Sequence, residues 1–135
     1  MQGQEAAGLS LIEQARKQFS SDPQLAAVHA LLLHHTGRNA EAKSILKLLD
    51  GKANYLAQLT MGEICIAENE WACVESQYQA MRNADPKDPS VFAGLGILSK
   101  NRGQYDLVRE YVALGLRAAP RYRPLMELKG EGHGF

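Results

Sequence analysis

A chain of 135 residues with 15 basic and 15 acidic side chains has no net charge, so no cationic surplus draws it to a nucleic-acid backbone. Its 45% apolar content is too high for a disordered polymer, and its longest apolar runs fall far short of a membrane span. The length suits one domain or a short piece of an array, and Met1 to Ala7 lacks the charged-then-apolar layout of a secretory leader.

The first predicted helix runs from Glu5 to Phe19. Ala6, Leu9, Ile12, Ala15 and Phe19 recur at helical spacing, with Glu13, Arg16 and Lys17 expected to face out. Ser20-Ser21-Asp22-Pro23 ends it, and Asp22 can cap the next helix with Pro23 at its first position. That second helix, Gln24 to Thr36, is rich in Ala and Leu. Gly37-Arg38-Asn39 forms a turn, and a partner helix follows from Ala40 to Leu49. Asp50-Gly51-Lys52-Ala53-Asn54 then connects to the rest of the chain.

From Tyr55 to Arg121 the sequence repeats itself. Gly62 plus 34 is Gly96, Trp71 plus 34 is Tyr105, and Pro86 plus 34 is Pro120. Helices are expected at Tyr55 to Glu68, Trp71 to Ala84, Ser90 to Arg102 and Tyr105 to Ala118. Gly62 and Gly96 fall mid-way along first helices, where glycine costs about 1 kcal/mol relative to alanine. Close approach of a neighbouring helix explains them. Val74 with Tyr78, and Val108 with Val112, lie one turn apart on the second helices. Beyond Pro120, Leu125, Met126 and Leu128 are placed on a short helix covering the last pair, ahead of a glycine-rich mobile tail from Gly130 to Phe135. The fold class is therefore all-α: antiparallel helix pairs stacked side by side, no pair burying its apolar face alone.

These residues resemble the tetratricopeptide repeat family, whose unit carries a large residue, a Leu-Gly pair, a Gly-Asp-Tyr-like turn, small and aromatic positions on the second helix and a closing proline. The copy from Pro89 gives Phe92, Leu95, Gly96, Gly103, Tyr105, Val108, Val112, Gly115 and Pro120, and departs from the pattern in that valine stands for the small residue here and in the copy from Tyr55. The copy from Tyr55 matches with Gln58, Met61, Gly62, Asn69, Trp71, Val74, Tyr78, Met81 and Pro86. A divergent copy from Pro23 has His29-Ala30 in place of Leu-Gly, lacks the closing proline, and is shorter, since 55 minus 23 is 32. The resemblance implies a right-handed superhelix of about three repeats, at 23–54, 55–88 and 89–122, with a capping helix or partial repeat at 1–22 and a cap and tail at 123–135.

The resemblance also implies a concave groove lined by the first helices. Its expected contact residues are Leu31, His34, Leu56, Leu59, Glu63, Ile66, Ile97, Lys100 and Asn101, with Ala27 and Ala93 nearby on the same helices. The terminal-carboxylate clamp of some relatives is missing, because Ala27, Leu31, Leu59 and Glu63 stand at its positions. An apolar floor suits an extended or helical apolar segment of a protein or peptide partner. The competing expectation is a floor covered by the chain itself, by another repeat or by the tail ending in Phe135.

No phosphate loop, nucleophile elbow or catalytic constellation stands out. Gly94-Leu95-Gly96 lies inside a helix, and Ser10, Ser44, Ser76 and Ser99 lack elbow context. His29, His34 and His35 do not share the four-residue spacing of helix-borne metal ligands. No catalytic residue, metal or cofactor is expected, and no nucleic-acid partner or direct membrane insertion. Cys65 and Cys73 flank one turn and read first as two buried small hydrophobes, with a disulfide as the alternative. Reduced thiols imply a cytoplasmic site, which is the expectation, and a bridge a periplasmic or secreted one; a place in a longer membrane-associated chain is a further alternative. Two functions compete. One is an interaction scaffold in the assembly of a bacterial secretion, pilus or export complex. The other is a small secretion chaperone of the type III class, often dimeric, holding an apolar client segment.

Overall fold

The computed structural model describes residues 2–49 and 54–131. The expected connection at 50–53 and the tail at 132–135 lie outside the described residues. Among the described residues there are eight α-helices and no strand: α1 (Gln2–Gln18), α2 (Pro23–His35), α3 (Asn39–Leu48), α4 (Tyr55–Ala67), α5 (Trp71–Ala84), α6 (Pro89–Asn101), α7 (Tyr105–Ala118) and α8 (Arg123–Glu131). The chain divides into two compact units, Met1–Ile64 and Cys65–Phe135.

Local chemistry sets the helix starts. The Asp22 carboxylate accepts from the backbone N–H of Gln24 at 2.9 Å and Leu25 at 3.2 Å, and Pro23 fills a position whose N–H would go unused. Asp88 repeats the device before Pro89, accepting from Ser90 N at 2.9 Å and Ser90 Oγ at 2.7 Å. Before α4, where no proline stands, the Asn54 side chain takes the role by accepting from Ala57 N at 2.9 Å.

The turns after α2, α4 and α6 are one structure used three times. Each passes through a single residue in the left-handed region: Gly37 at φ 82°, Asn69 at φ 58° and Gly103 at φ 72°. In each, that residue's N–H donates three residues back, to His34, Ile66 and Lys100 respectively. The next N–H reaches five residues back, Arg38 to Leu33, Glu70 to Cys65 and Gln104 to Ser99, at 2.8, 2.9 and 2.9 Å. The last carbonyls of each first helix are thus satisfied before the second helix begins.

In the first unit, Leu9 of α1, Ala30 and Leu33 of α2, Ala42 and Leu46 of α3, and Ile64 of α4 form one buried cluster, bordered by Ile12, Ile45, Ala57 and Met61. A second cluster joins Ala26, Ala27 and Leu49, with Leu56 packed against it. Full burial of a side chain such as Leu33 or Ile64 contributes about 1.5–3 kcal/mol. The sequence reading placed Arg16 outward and Phe19 on the buried stripe, and both are corrected here. Helix α1 stops at Gln18, so Phe19 leaves the stripe and is 56% exposed. Arg16 falls seven and four residues past the stripe members Leu9 and Ile12, and turns in toward α2.

In the second unit, Ala93 of α6, Val108 and Val112 of α7, and Leu125 and Leu128 of α8 make the core, with Phe92, Ile97, Leu116 and Tyr122 against it. Helix α8 covers α6 and α7 with Leu125 and Leu128, as expected, while Met126 stays half exposed. Val74, Tyr78 and Met81 bury the inner face of α5. Gly96 meets the expectation of close approach: a Cβ there would lie 2.7 Å from Leu128 Cδ2. Gly62 is buried.

The two cysteines are bonded. Cys65, near the end of α4, and Cys73, in the first turn of α5, have Cα atoms 6.0 Å apart and form a disulfide. This overturns the reading of two free thiols. The left-handed step at Asn69 folds α5 back beside the end of α4, and eight residues of separation then suffice to close the bridge.

Candidate partner-binding face

The nine residues singled out from the sequence all lie on first helices. Leu31 and His34 are on α2, Leu56, Leu59, Glu63 and Ile66 on α4, and Ile97, Lys100 and Asn101 on α6. In the first unit the structure brings two of them together. His34 Nε2 lies 3.5 Å from Glu63 Oε2, where α2 and α4 face each other. The other ring nitrogen, Nδ1, pairs with Asn39 Oδ1 at 2.8 Å, so the imidazole is oriented from the first residue of α3. An amide oxygen only accepts, which puts a proton on Nδ1. His34 and His35 stand with ring centroids 5.6 Å apart.

Beside this pair the helices carry Leu31 one turn before His34, and Leu59 one turn before Glu63, both half-buried. Leu56 packs against the cluster of Ala26, Ala27 and Leu49 and is half-buried. Ala27 is fully buried and belongs to the core. An arginine three residues before a glutamate also marks this unit: Arg38 Nε and Nη2 donate to both Glu41 oxygens at 2.8 and 2.7 Å. That hydrogen bond raises the Arg38 pKa and lowers that of Glu41.

The second unit carries Ile66 and, on α6, Ile97, Lys100 and Asn101. Ile97 packs against the core of Ala93, Val108 and Val112 and is half-buried, Lys100 is half-buried and Asn101 is exposed. Ala93 is core. Arg102, just past α6, is held by Glu75 of α5 at 2.5 Å, so the end of α6 is fixed in place.

No protein-family model matches the chain, and no curated protein or solved structure is significantly similar to it.

Sequence reasoning missed one polar contact within the first unit. Arg16 Nη1 lies 2.9 Å from His29 Nδ1 across α1 and α2. The signal was present: Arg16 follows Leu9 and Ile12 at helical spacing, so it sits on the buried stripe. Among the described residues no group of three or more His, Cys, Asp or Glu side chains could hold a metal ion. No described helix is long and apolar enough to cross a membrane.

Proposed function

We propose that this chain is a protein-interaction module of the tetratricopeptide kind, whose first helices present the face that receives a partner segment. The observation that carries the reading is the threefold turn at Gly37, Asn69 and Gly103, with the same two hydrogen bonds each time. A recurring helix pair sets its first helices out in register and spends the apolar faces of its second helices on neighbours. What remains on the first helices is available for recognition.

In the first unit that remainder is Leu31 and Leu59 flanking His34 and Glu63. Half-exposed leucines supply apolar contact, and the polar pair gives direction to a bound segment. A partly extended or helical apolar segment has the matching chemistry. In the second unit Ile66, Lys100 and Asn101 offer the same mixture.

The test selects peptide binders against the parent protein and measures their affinities for two variants. Leu59→Glu sets a charge in a desolvated contact and is expected to cost about 2 kcal/mol or more of binding. Glu110→Lys, on the exposed part of α7, is expected to leave binding unchanged. Circular dichroism of both variants checks the fold. Binding that survives Leu59→Glu and disappears with Glu110→Lys would place the site elsewhere. Unfolding of Leu59→Glu would make the leucine core rather than binding surface.

A further inference from the structure

Helix α1 is held on α2 by contacts of two kinds. Leu9 and Ile12 pack into the cluster that contains Ala30 and Leu33. Beyond them, on the same stripe, Arg16 Nη1 lies 2.9 Å from His29 Nδ1. A guanidinium only donates, so His29 Nδ1 accepts and the ring is neutral, with its proton on Nε2. Arg16 Nε is buried with no hydrogen-bond partner among the described residues. The guanidinium is therefore already short of partners, and its bond to His29 is one it can ill lose.

The charges facing His29 come from both neighbouring helices. Arg16 and Glu13 are on α1, Arg38 just before α3, and Glu41 on α3. Glu13 and Glu41 favour the charged ring, and Arg16 and Arg38 oppose it. Arg38 and Glu41 are bound to each other and largely offset. Burial is the main cause that holds the His29 pKa below the ordinary 6.5, and the Arg16 charge is the next.

We propose that Arg16 and His29 form a proton-operated latch that holds α1 on α2 while the ring is neutral and releases it when Nδ1 takes a proton from solvent. The proton removes the only lone pair facing Arg16 and sets two cations at hydrogen-bond distance. Release uncovers Leu9 and Ile12 on α1 and their seats beside Ala30 and Leu33 on α2. Acid thus exposes an apolar surface that neutral pH keeps closed. The sign follows from linkage. The folded pKa lies below 6.5, so the unfolded or released state binds more protons. The stabilisation is complete above 6.5 and is lost as pH falls through the folded value.

The experiment follows amide-exchange protection factors of α1, α6 and α7 in the full chain between about pH 8 and about pH 5, with the His29 ring observed by NMR in the same samples. Protection of α1 is expected to fall in step with ring protonation, with α6 and α7 unchanged. In His29→Gln, whose side-chain oxygen accepts from the guanidinium and does not titrate, α1 is expected to stay protected throughout. In Arg16→Met, the dependence of α1 protection on ring protonation is expected to weaken, leaving only the part that burial of the ring supplies. The latch is overturned if α1 protection is flat while the ring titrates, or if it falls equally in His29→Gln. Equal loss in α6 and α7 would also overturn it, since that is global unfolding. Should His29→Gln fail to fold, the parent titration and Arg16→Met decide.

Discussion

The ring of Tyr78, on α5, occupies the space that any side chain at Gly94 of α6 would need. The two helices meet there ring against bare backbone. Tyr78 is buried and its ring is rigid, so it cannot bend aside as the tip of an aliphatic chain can. Glycine in a helix interior is unfavourable by itself, and here a buried aromatic is what makes it necessary.

Gly94→Ala is therefore expected to destabilise the protein by about 1–3 kcal/mol through overpacking, despite the better helix propensity of alanine. Gly96→Ala is expected to be milder. Its new methyl group meets Leu128 Cδ2 at 2.7 Å, the tip of a flexible side chain that can rotate away. Urea unfolding of the two variants checks the order. A Gly94→Ala protein as stable as the parent would mean that α5 and α6 are further apart than described.

The two aspartate caps act in separate units and should act independently. Asp22→Ala and Asp88→Ala are each expected to cost about 1 kcal/mol, because each leaves first-turn N–H groups without an acceptor. Hydrogen exchange should quicken in α2 for the first variant and in α6 for the second. Faster exchange in the wrong helix, or in neither, would show that the caps contribute nothing at these sites.

The disulfide closes a short loop, and the chain-entropy treatment assigns such a loop about 2.5 kcal/mol. Reduction by a dithiol is expected to lower the unfolding midpoint accordingly, with alkylation and mass measurement reporting the thiols. Cys65→Ser is expected to be the worse of the two single replacements. Cys65 is 1% exposed and would bury a hydroxyl, whereas Cys73 is half-buried. Equal midpoints for the oxidised and reduced protein would remove the bridge from the list of stabilising contacts.

Helix placement was legible because punctuation lies in the sequence. Trp71–Ala84 and Tyr105–Ala118 were expected at those bounds and are found there. Pro23, Pro89, Gly37 and Gly103 mark ends by backbone chemistry alone, which needs no tertiary information. The members of the candidate face were legible only as members of first helices. The approach of His34 to Glu63 depends on the spacing of α2 and α4, and no period encodes a distance between helices. Ala27 and Ala93 sit on those same helices yet are buried, since a small side chain follows whichever neighbour is nearer. The bond between Cys65 and Cys73 needed the turn at Asn69, where asparagine stands in a place that glycine takes in the other two turns. The seat of Tyr78 on Gly94 was hidden because the repeat points to Gly96, and nothing local separates the two.

The three left-handed turn residues are not evenly spaced: 69 minus 37 is 32, and 103 minus 69 is 34. Helix α3 has 10 residues where α5 and α7 have 14, and six positions separate its end from the start of α4 where four separate α5 from α6. A helix four residues shorter and a link two residues longer account for the difference. A residue inserted within a helix swings everything beyond it by about 100° and would carry Leu46 or Val74 out of the interior. A link has no such rotational phase, and its closure cost rises only slowly with length. Insertions and deletions inherited by this chain are therefore expected to accumulate at the ends of second helices and in the links that follow them.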